Sequence, residues 1–367
     1  MTPAINLHDY AALAAERLPA EVQAYLAGGA GDEQTLADNL AAWQRIRLWP
    51  RVLRPLHPGH TQIELLGRRW AHPIGLAPVA AHQLFHGDAE RATVLACAMQ
   101  GAACTLSSQG SRPWREVADL VRQEPGRGAL WGQVYWQGSE RRTLTLIERA
   151  AEAGLEAIVF TVDAPVHGAR DRERRHGFAL PAALSKANSV PGAHPALPAF
   201  ERPPLCAGLL AHAPTWRELE ALVAASPVPV IVKGVLHPED AALALEAGAV
   251  AGWVSNHGGR TLDSVISTAQ ALPQVRARVG PTWPLLVDGG IRRGTDVLKA
   301  LALGANAVFI GRPAMQALAA GGAPALAHAL RLLRDEFEIA MALCGCATPT
   351  EVSDSSLHLE TPPLSAA

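Results

Sequence analysis

Short apolar runs that stop at small or polar residues recur along most of the chain. They begin near Pro73 (P-I-G-L-A-P-V-A), Gly101 (G-A-A-C-T-L-S-S), Leu130 (L-W-G-Q-V-Y-W) and Ala157 (A-I-V-F-T-V-D-A). They resume near Val228 (V-P-V-I-V-K-G-V), Gly252 (G-W-V-S-N-H-G-G), Pro284 (P-L-L-V-D-G-G-I) and Ala307 (A-V-F-I-G-R-P). Helix-like segments lie between them, among them Ala89 to Gln100, Ser139 to Ala153, Pro238 to Ala247 and Thr295 to Leu303. Several close on A-G or L-G, as at Ala153-Gly154, Ala247-Gly248 and Leu303-Gly304. Strand–helix repeats at intervals of roughly 25–30 residues predict a (β/α)8 barrel.

The first sixty residues stand outside this rhythm and form an N-terminal helical segment. Asn6 can cap a helix over Leu7 to Arg17, and Pro19 suits the start of a second, Ala20 to Leu26, which stops at Gly28-Gly29. Asp32 can cap a third, in which Leu36, Leu40, Trp43 and Ile46 follow helical spacing. Thr61 to Leu66 and Arg68 to Ala71, around Gly67, read as a hairpin that could close the bottom of the barrel. Between the fourth and fifth strands the interval stretches, over 165–227, into a loop rich in Pro, Ala and His with a charged start, Arg170 to His176. A loop of that length at the catalytic face is a lid or a binding loop; the other reading is a disordered excursion. A last helix is expected from Pro324 to Leu343, ending at Gly345 and followed by a loose tail.

Composition narrows the class. With 367 residues, 49% hydrophobic and 18% charged, the chain can bury a substantial core as one large domain. A net charge of -2 argues against a nucleic-acid binder. The five cysteines, Cys97, Cys104, Cys206, Cys344 and Cys346, are scattered and odd in number, so free thiols in a reducing compartment are expected. Cys344-Gly345-Cys346 lacks a second Cys or His pair at zinc spacing, and no metal is expected. The N-terminus lacks the basic start and apolar core of a signal peptide, no charge-free apolar run is long enough for a span, and the end lacks a peroxisomal S-K-L. A cytoplasmic protein is expected.

The stretch Val254 to Asp263, V-S-N-H-G-G-R-T-L-D, carries the first chemical signal. An apolar run ends by presenting an imidazole, two glycines and a guanidinium within four positions, His257 to Arg260. The Arg can hold a carboxylate in a two-pronged grip, the imidazole can take a proton, and the glycines admit a ligand to the backbone. Alone, the stretch could be a surface turn. In barrels, however, chemistry collects at the C-terminal ends of the strands. Those ends offer Pro78-Val79-Ala80, Ser107 and Ser108, Gln133 and Tyr135, then Thr161 and Asp163 with Arg170 soon after. They continue with Lys233, then Ser255, His257 and Arg260, then Asp288, Gly289, Gly290 and Arg292, and finally Gly311 and Arg312. The last two groups, D-G-G-I-R and I-G-R, supply backbone N–H groups and guanidiniums where barrels bind phosphate. A flavin mononucleotide (FMN) fits, with its phosphate there and its ring over strands one to five. A cation such as Lys233 near the ring would stabilise the reduced, anionic flavin.

These pieces resemble the FMN-dependent 2-hydroxy acid oxidases and dehydrogenases, the group of glycolate oxidase, lactate oxidase and the mandelate enzymes. The matching segments are Y-L-A-G-G-A-G-D-E-Q-T-L at Tyr25, A-P-V-A-A-H at Ala77, Q-V-Y at Gln133, T-V-D-A-P at Thr161 and V-K-G-V at Val232. S-N-H-G-G-R at Ser255, D-G-G-I-R-R-G-T-D-V at Asp288 and I-G-R-P at Ile310 complete the set, which covers nearly the whole chain. The resemblance implies oxidation of an (S)-2-hydroxy acid to the 2-oxo acid. His257 would be the base and Asp163 its partner. Arg170 and Arg260 would hold the substrate carboxylate, and Tyr25 and Tyr135 would contact its hydroxyl or carboxylate. Pro78, Val79, Ala80, Ser107, Gln133, Thr161, Lys233 and Ser255 would hold the flavin. Asp288, Gly289, Gly290, Arg292, Gly311 and Arg312 would hold its phosphate end. It also implies a homo-oligomer, a tetramer in this group.

The chain departs from the glycolate oxidases at Val79, where they have Thr, and Gln109, where they have Trp. Both changes point to a substrate larger than glycolate. A-P-V-A-A-H is more similar to the lactate oxidases; L-A-G-G-A-G and G-F-A-L-P are more similar to the 4-hydroxymandelate oxidases. Ala80 stands where the oxidases tend to have Ala and the membrane dehydrogenases Gly, which favours O2 as acceptor and hydrogen peroxide as product. Transfer to a quinone or cytochrome, and a non-redox isomerase on the same flavin barrel, are the alternatives.

Overall fold

The computed structural model describes residues 4–184, 187–190, 210–211 and 213–358. Eight parallel strands close into a barrel. They are β1 (Ile74–Leu76), β2 (Ala103–Ser107), β3 (Leu130–Val134), β4 (Ala157–Thr161), β5 (Val230–Val235), β6 (Ala251–Val254), β7 (Leu285–Val287) and β8 (Ala307–Ile310). Each pairs with the next, and β8 closes on β1 through Val308 opposite Ile74. All eight strands fall where the apolar runs predict them. The intervening helices follow their predicted bounds to within a residue, as at Ala89–Gln100, Glu140–Glu152, Pro238–Glu246 and Gly294–Ala302.

Period-two alternation along these strands builds the site. Trp131, Val159, Ile231, Trp253, Leu286 and Phe309 belong to one apolar cluster of fully buried side chains. The Trp253 and Phe309 rings lie 4.1 Å apart. Two residues further along each strand, side chains point the same way. Those positions are Gln133, Thr161, Lys233, Ser255, Asp288 and Gly311. A barrel plugged with hydrocarbon below therefore carries a polar ring above, at the C-terminal ends of its strands. The predicted hairpin forms, Ile63–Leu65 against Arg68–Trp70. Its Leu65 and Trp70 join the same apolar cluster, with Trp70 5.4 Å from Trp131, so it closes the bottom. A second cluster packs the outer strand faces against the helices.

The N-terminal segment folds as α1 (Leu7–Arg17), α2 (Ala20–Ala27) and α3 (Gln34–Arg45). Asn6 caps α1 as expected, accepting from the His8 and Asp9 N–H groups. The cap expected from Asp32 does not form. Glu33 precedes α3 in the left-handed region, and Asp263 instead accepts from the Gln34 and Thr35 N–H groups at 3.3 and 2.8 Å. A carboxylate distant in sequence reaches the positive end of the helix because the β6 loop packs against it. The long connection also resolves differently from one uniform insertion. It contains a short helix, Asp171–Arg175, and the barrel's own fourth helix, Trp216–Ala225; much of the expected lid lies outside the described residues. The last helix runs on from Arg312 to Leu343 with a break at Gly321 and Gly322, just before Pro324. The tail is not loose at its start, since Leu357–His358 pair antiparallel with Arg47–Leu48.

Candidate active site

A cavity of about 1440 Å³ opens at the C-terminal ends of the strands. That exceeds the ~300–1,000 Å³ typical for a single small ligand, so a cofactor and a substrate fit together. Of the residues singled out from sequence, all but Ser255 line it. Ser255 is fully buried just beneath. Its hydroxyl accepts from Lys233 Nζ at 2.8 Å, donates to Asp288 Oδ1 at 2.7 Å and accepts the His257 N–H at 3.1 Å. Lys233 also pairs with Asp288 at 3.1 Å. A buried ammonium is thus fixed at the cavity floor by a carboxylate and a hydroxyl. Beside it, Ser107 Oγ donates to Gln133 Oε1 at 2.9 Å, and Gln133 Nε2 donates to Thr161 Oγ1 at 3.1 Å. This row crosses the ends of β2, β3 and β4 and holds each side chain in one orientation.

The imidazole is placed by backbone strain. His257 has φ 56° and is followed by Gly258 and Gly259 at 63° and 73°. A left-handed non-glycine residue costs on the order of 1–3 kcal/mol and persists where its surroundings enforce it. His257 Nδ1 bonds Asp163 Oδ1 at 2.9 Å, which leaves Nε2 to act on a substrate. Gly234, at φ 106°, makes room for that carboxylate: a Cβ there would lie 2.5 Å from Asp163 Cβ. Burial pushes the Asp163 carboxyl up, but His257, its hydrogen bond and Lys233 outweigh burial and hold it below the usual carboxylate range. It therefore stays ionised at neutral pH.

Arg170 and Arg260, expected to clamp a carboxylate, lie next to each other in the same cavity. Arg260 Nη1 donates to the carbonyls of Tyr25 at 2.6 Å and Gly28 at 3.0 Å, and its Cζ lies 4.9 Å from the Tyr25 ring centre. Arg170 Nε donates to the Arg260 carbonyl at 3.2 Å. Burial, then Arg260, draws the Arg170 pKa down. Tyr25 stacks on Phe178 with ring centres 4.4 Å apart. Burial raises both tyrosine pKa values, and Asp163 raises Tyr135 further, so both hydroxyls remain protonated donors. His167 also lines the cavity; burial, then Arg170 and Arg260, lower its pKa to about 4 and keep it neutral.

Another part of the cavity fits an anion such as the FMN phosphate. A Cβ added to Gly311 would meet nothing nearer than Val79 Cγ2 at 3.8 Å, so it would stand in the cavity itself. Arg292 faces the same space with one hydrogen bond among the described residues, Nη1 to the Ile291 carbonyl at 2.9 Å. Burial lowers its pKa to about 10, with Asp296 opposing, so an arriving anion would stabilise a charge the protein leaves poorly matched. Arg312, expected at the phosphate end, has three of its five N–H donors engaged by backbone. Its Nε, Nη1 and Nη2 donate to the carbonyls of Leu26, Gly258 and Gly28 at 2.9, 2.8 and 2.6 Å, tying α2 to the β6 loop.

Sequence reasoning missed several contributors. Asn39 of α3 exchanges amide hydrogen bonds with Asn256 at 2.9 and 2.8 Å, and Trp43 Nε1 donates to the Gly289 carbonyl at 2.8 Å. The N-terminal segment is therefore one wall of the site. Glu173 lies within the charged run Arg170 to His176, which by itself marks no site. Its spacing of three from Arg170 on a helix was the available signal.

A barrel with a flavin-sized cavity, an anion end and a histidine–aspartate pair beside two arginines defines a flavin enzyme that acts on an acid. The family model described as FMN-dependent dehydrogenase matches residues 14–359. The chain is 44% identical over 360 residues to an L-lactate oxidase of Roseobacter sp. (strain GAI101), covering 96% of this chain and 94% of that protein. It is 42% identical over 348 residues to a 4-hydroxymandelate oxidase of Amycolatopsis orientalis, covering 93% and 95%. A crystal structure of mandelate oxidase with benzoyl-formic acid superimposes with a TM-score of 0.86 at 41% identity, covering 97% of this chain and 98% of that one. The chain belongs to the FMN-dependent dehydrogenase family, and FMN is its cofactor. Among the described residues no helix is long and apolar enough to cross a membrane.

Proposed function

We propose that the protein oxidises an (S)-2-hydroxy acid larger than glycolate, lactate-like or mandelate-like, to the 2-oxo acid, with O2 as acceptor and hydrogen peroxide as product. The observation that carries this reading is the His257–Asp163 pair at 2.9 Å in the same cavity as Arg170 and Arg260. The relatives named lactate oxidase and 4-hydroxymandelate oxidase support the substrate class and the acceptor.

When bound, FMN supplies the two-electron acceptor. Backbone at Pro78, Val79 and Ala80, with Ser107, Gln133, Thr161 and Lys233, would hold its ring and ribityl chain, and Ser255 fixes Lys233 from below. Asp288, Gly289, Gly290, Arg292, Gly311 and Arg312 would form its phosphate end, Arg312 by bracing the loops. Arg260 and Arg170 bind the substrate carboxylate, and Tyr25 and Tyr135 donate to its hydroxyl or carboxylate. His257 Nε2 takes the substrate proton. Asp163 holds the imidazole in the tautomer with the proton on Nδ1, then stabilises the imidazolium. The start of the 165–227 connection, which brings Arg170, Glu173 and Phe178 to the cavity, supports a lid role for the part of that connection before the barrel's fourth helix. Four buried free thiols support a cytoplasmic setting, and the resemblance to the 2-hydroxy acid oxidases supports a homo-oligomer, a tetramer.

Anaerobic mixing of the FMN-loaded protein with L-lactate, (S)-mandelate, 4-hydroxymandelate and glycolate tests this. The yellow flavin should bleach fastest with a lactate-like or mandelate-like acid, and aerobic turnover should yield one peroxide per 2-oxo acid. Glycolate as best substrate, or turnover without peroxide, would refute the reading.

A further inference from the structure

A carboxylate of the protein itself already sits in the arginine clamp. Glu173 Oε1 accepts from Arg260 Nη2 at 2.8 Å, and Oε2 lies 3.7 Å from Arg170 Nη1. All three side chains are only 12–14% exposed, and all three line the cavity. Within this trio, two cations and one anion leave a surplus of one positive charge; Arg312, which shares the Gly28 carbonyl with Arg260, belongs to the group assigned to the FMN phosphate, which would match its charge in the loaded protein. The helix carrying Glu173 is held to the N-terminal segment by the Arg172–Glu33 pair, so Glu173 is fixed where it stands.

We propose that Glu173 sets the clamp's charge and thereby selects 2-hydroxy acids with a single carboxylate. This rests on the reading of Arg170 and Arg260 as the substrate clamp. One substrate carboxylate neutralises the surplus. A second would bring a third anion to two cations in a poorly solvated space, where an unmatched charge is strongly disfavoured. Glu173 is also a positioning residue: without an anion between them, two neighbouring guanidiniums repel.

Glu173→Gln separates charge from geometry, because the amide oxygen still accepts from Arg260 while the charge is lost. Calorimetric titration of the FMN-loaded protein with pyruvate and with 2-oxoglutarate, at fixed pH and ionic strength, reads the effect. The parent should prefer pyruvate by ~100-fold or more, from a like charge held within a few ångströms at low dielectric. In Glu173→Gln, pyruvate should bind about tenfold tighter and 2-oxoglutarate should gain about tenfold more than that, narrowing the preference. Glu173→Asp, which keeps the charge, should keep the parent's preference. Unchanged or weaker pyruvate binding in Glu173→Gln, an unaltered preference, or Asp behaving as Gln would each overturn the proposal. A parent that binds both acids equally would do so even if the Gln variant fails to fold. Arg260→Lys tells the two readings apart: pyruvate binding unchanged there means that the clamp itself is misassigned.

Discussion

The two ends of the cavity are built on opposite principles. At the anion end, backbone does the work. Gly289, Gly290 and Gly311 would present main chain to the ligand, Arg312 ties the surrounding loops together through three carbonyls, and α3 presses on the loops from outside. At the acid end, side chains do the work: Asp163 hydrogen-bonds His257, and Glu173 offsets the charges of Arg170 and Arg260. The difference suits the ligands. On the reading proposed above, a cofactor that stays bound would be gripped by rigid main chain, and a substrate that comes and goes would meet charges matched to one carboxylate.

That contrast predicts which changes each end tolerates. The acid end should respond most to loss of charge. Asp163→Asn should lower the rate of flavin reduction about 100- to 1,000-fold, in the range of general-base effects, while FMN content stays at the parent level. Stopped-flow reduction with L-lactate checks the first and the absorbance ratio of protein to flavin the second. The anion end should respond to volume instead. A Cβ at Gly290 would lie 2.1 Å from the Asn39 carbonyl oxygen, at φ 89°. Gly290→Ala should therefore cost about 3 kcal/mol or more through strain and displaced backbone. Purification of the variant largely without flavin would show it; full retention would remove α3 as a support of that loop.

Smaller effects sharpen the contrast. Arg260→Lys should raise KM about tenfold, since a point charge cannot reproduce the fork that also braces two carbonyls. His72 serves as a control outside both ends, at the bottom of the barrel. Its Nε2 bonds the Gln100 carbonyl at 2.9 Å, and burial lowers its pKa to about 4. The unfolded chain, at about 6.5, binds the proton first as pH falls. Stability from this group is full above about pH 6.5 and is lost on acidification towards pH 4. Between pH 7 and 5 the loss should be on the order of 2 kcal/mol, and His72→Asn should flatten it in denaturant melts at the two pH values. Asp163, with its pKa held low, shifts stability in a lower window: its contribution is present above ~pH 3.9 and is lost as pH falls through the depressed value. Asp163 therefore titrates below the window of His72 and also below that of His167 at the acid end, whose pKa is likewise lowered to about 4.

The same contrast explains what could be read from sequence. The barrel was legible because each strand is a short apolar run with its polar residue at a fixed offset, as in Trp131 and Gln133 or Trp253 and Ser255. The anion end was legible because D-G-G-I-R and I-G-R are local. Glu173 was not, because its partner Arg260 is 87 residues away and only the fold brings them together. Asp263 was not read as the cap of α3 for the same reason, and Asp32, adjacent in sequence, looked the better choice. The presence of Arg312 is written locally, whereas the carbonyls of Leu26 and Gly28 that engage it belong to a distant segment.

The central claim is that His257 takes the proton over a cofactor that the rest of the cavity holds without it. Single-turnover anaerobic reduction of His257→Ala by L-lactate or (S)-mandelate tests that most directly. Full FMN content with reduction slowed by about 10,000-fold, at the upper end for a lost general base, is the result this account predicts. Reduction at the parent rate would contradict it.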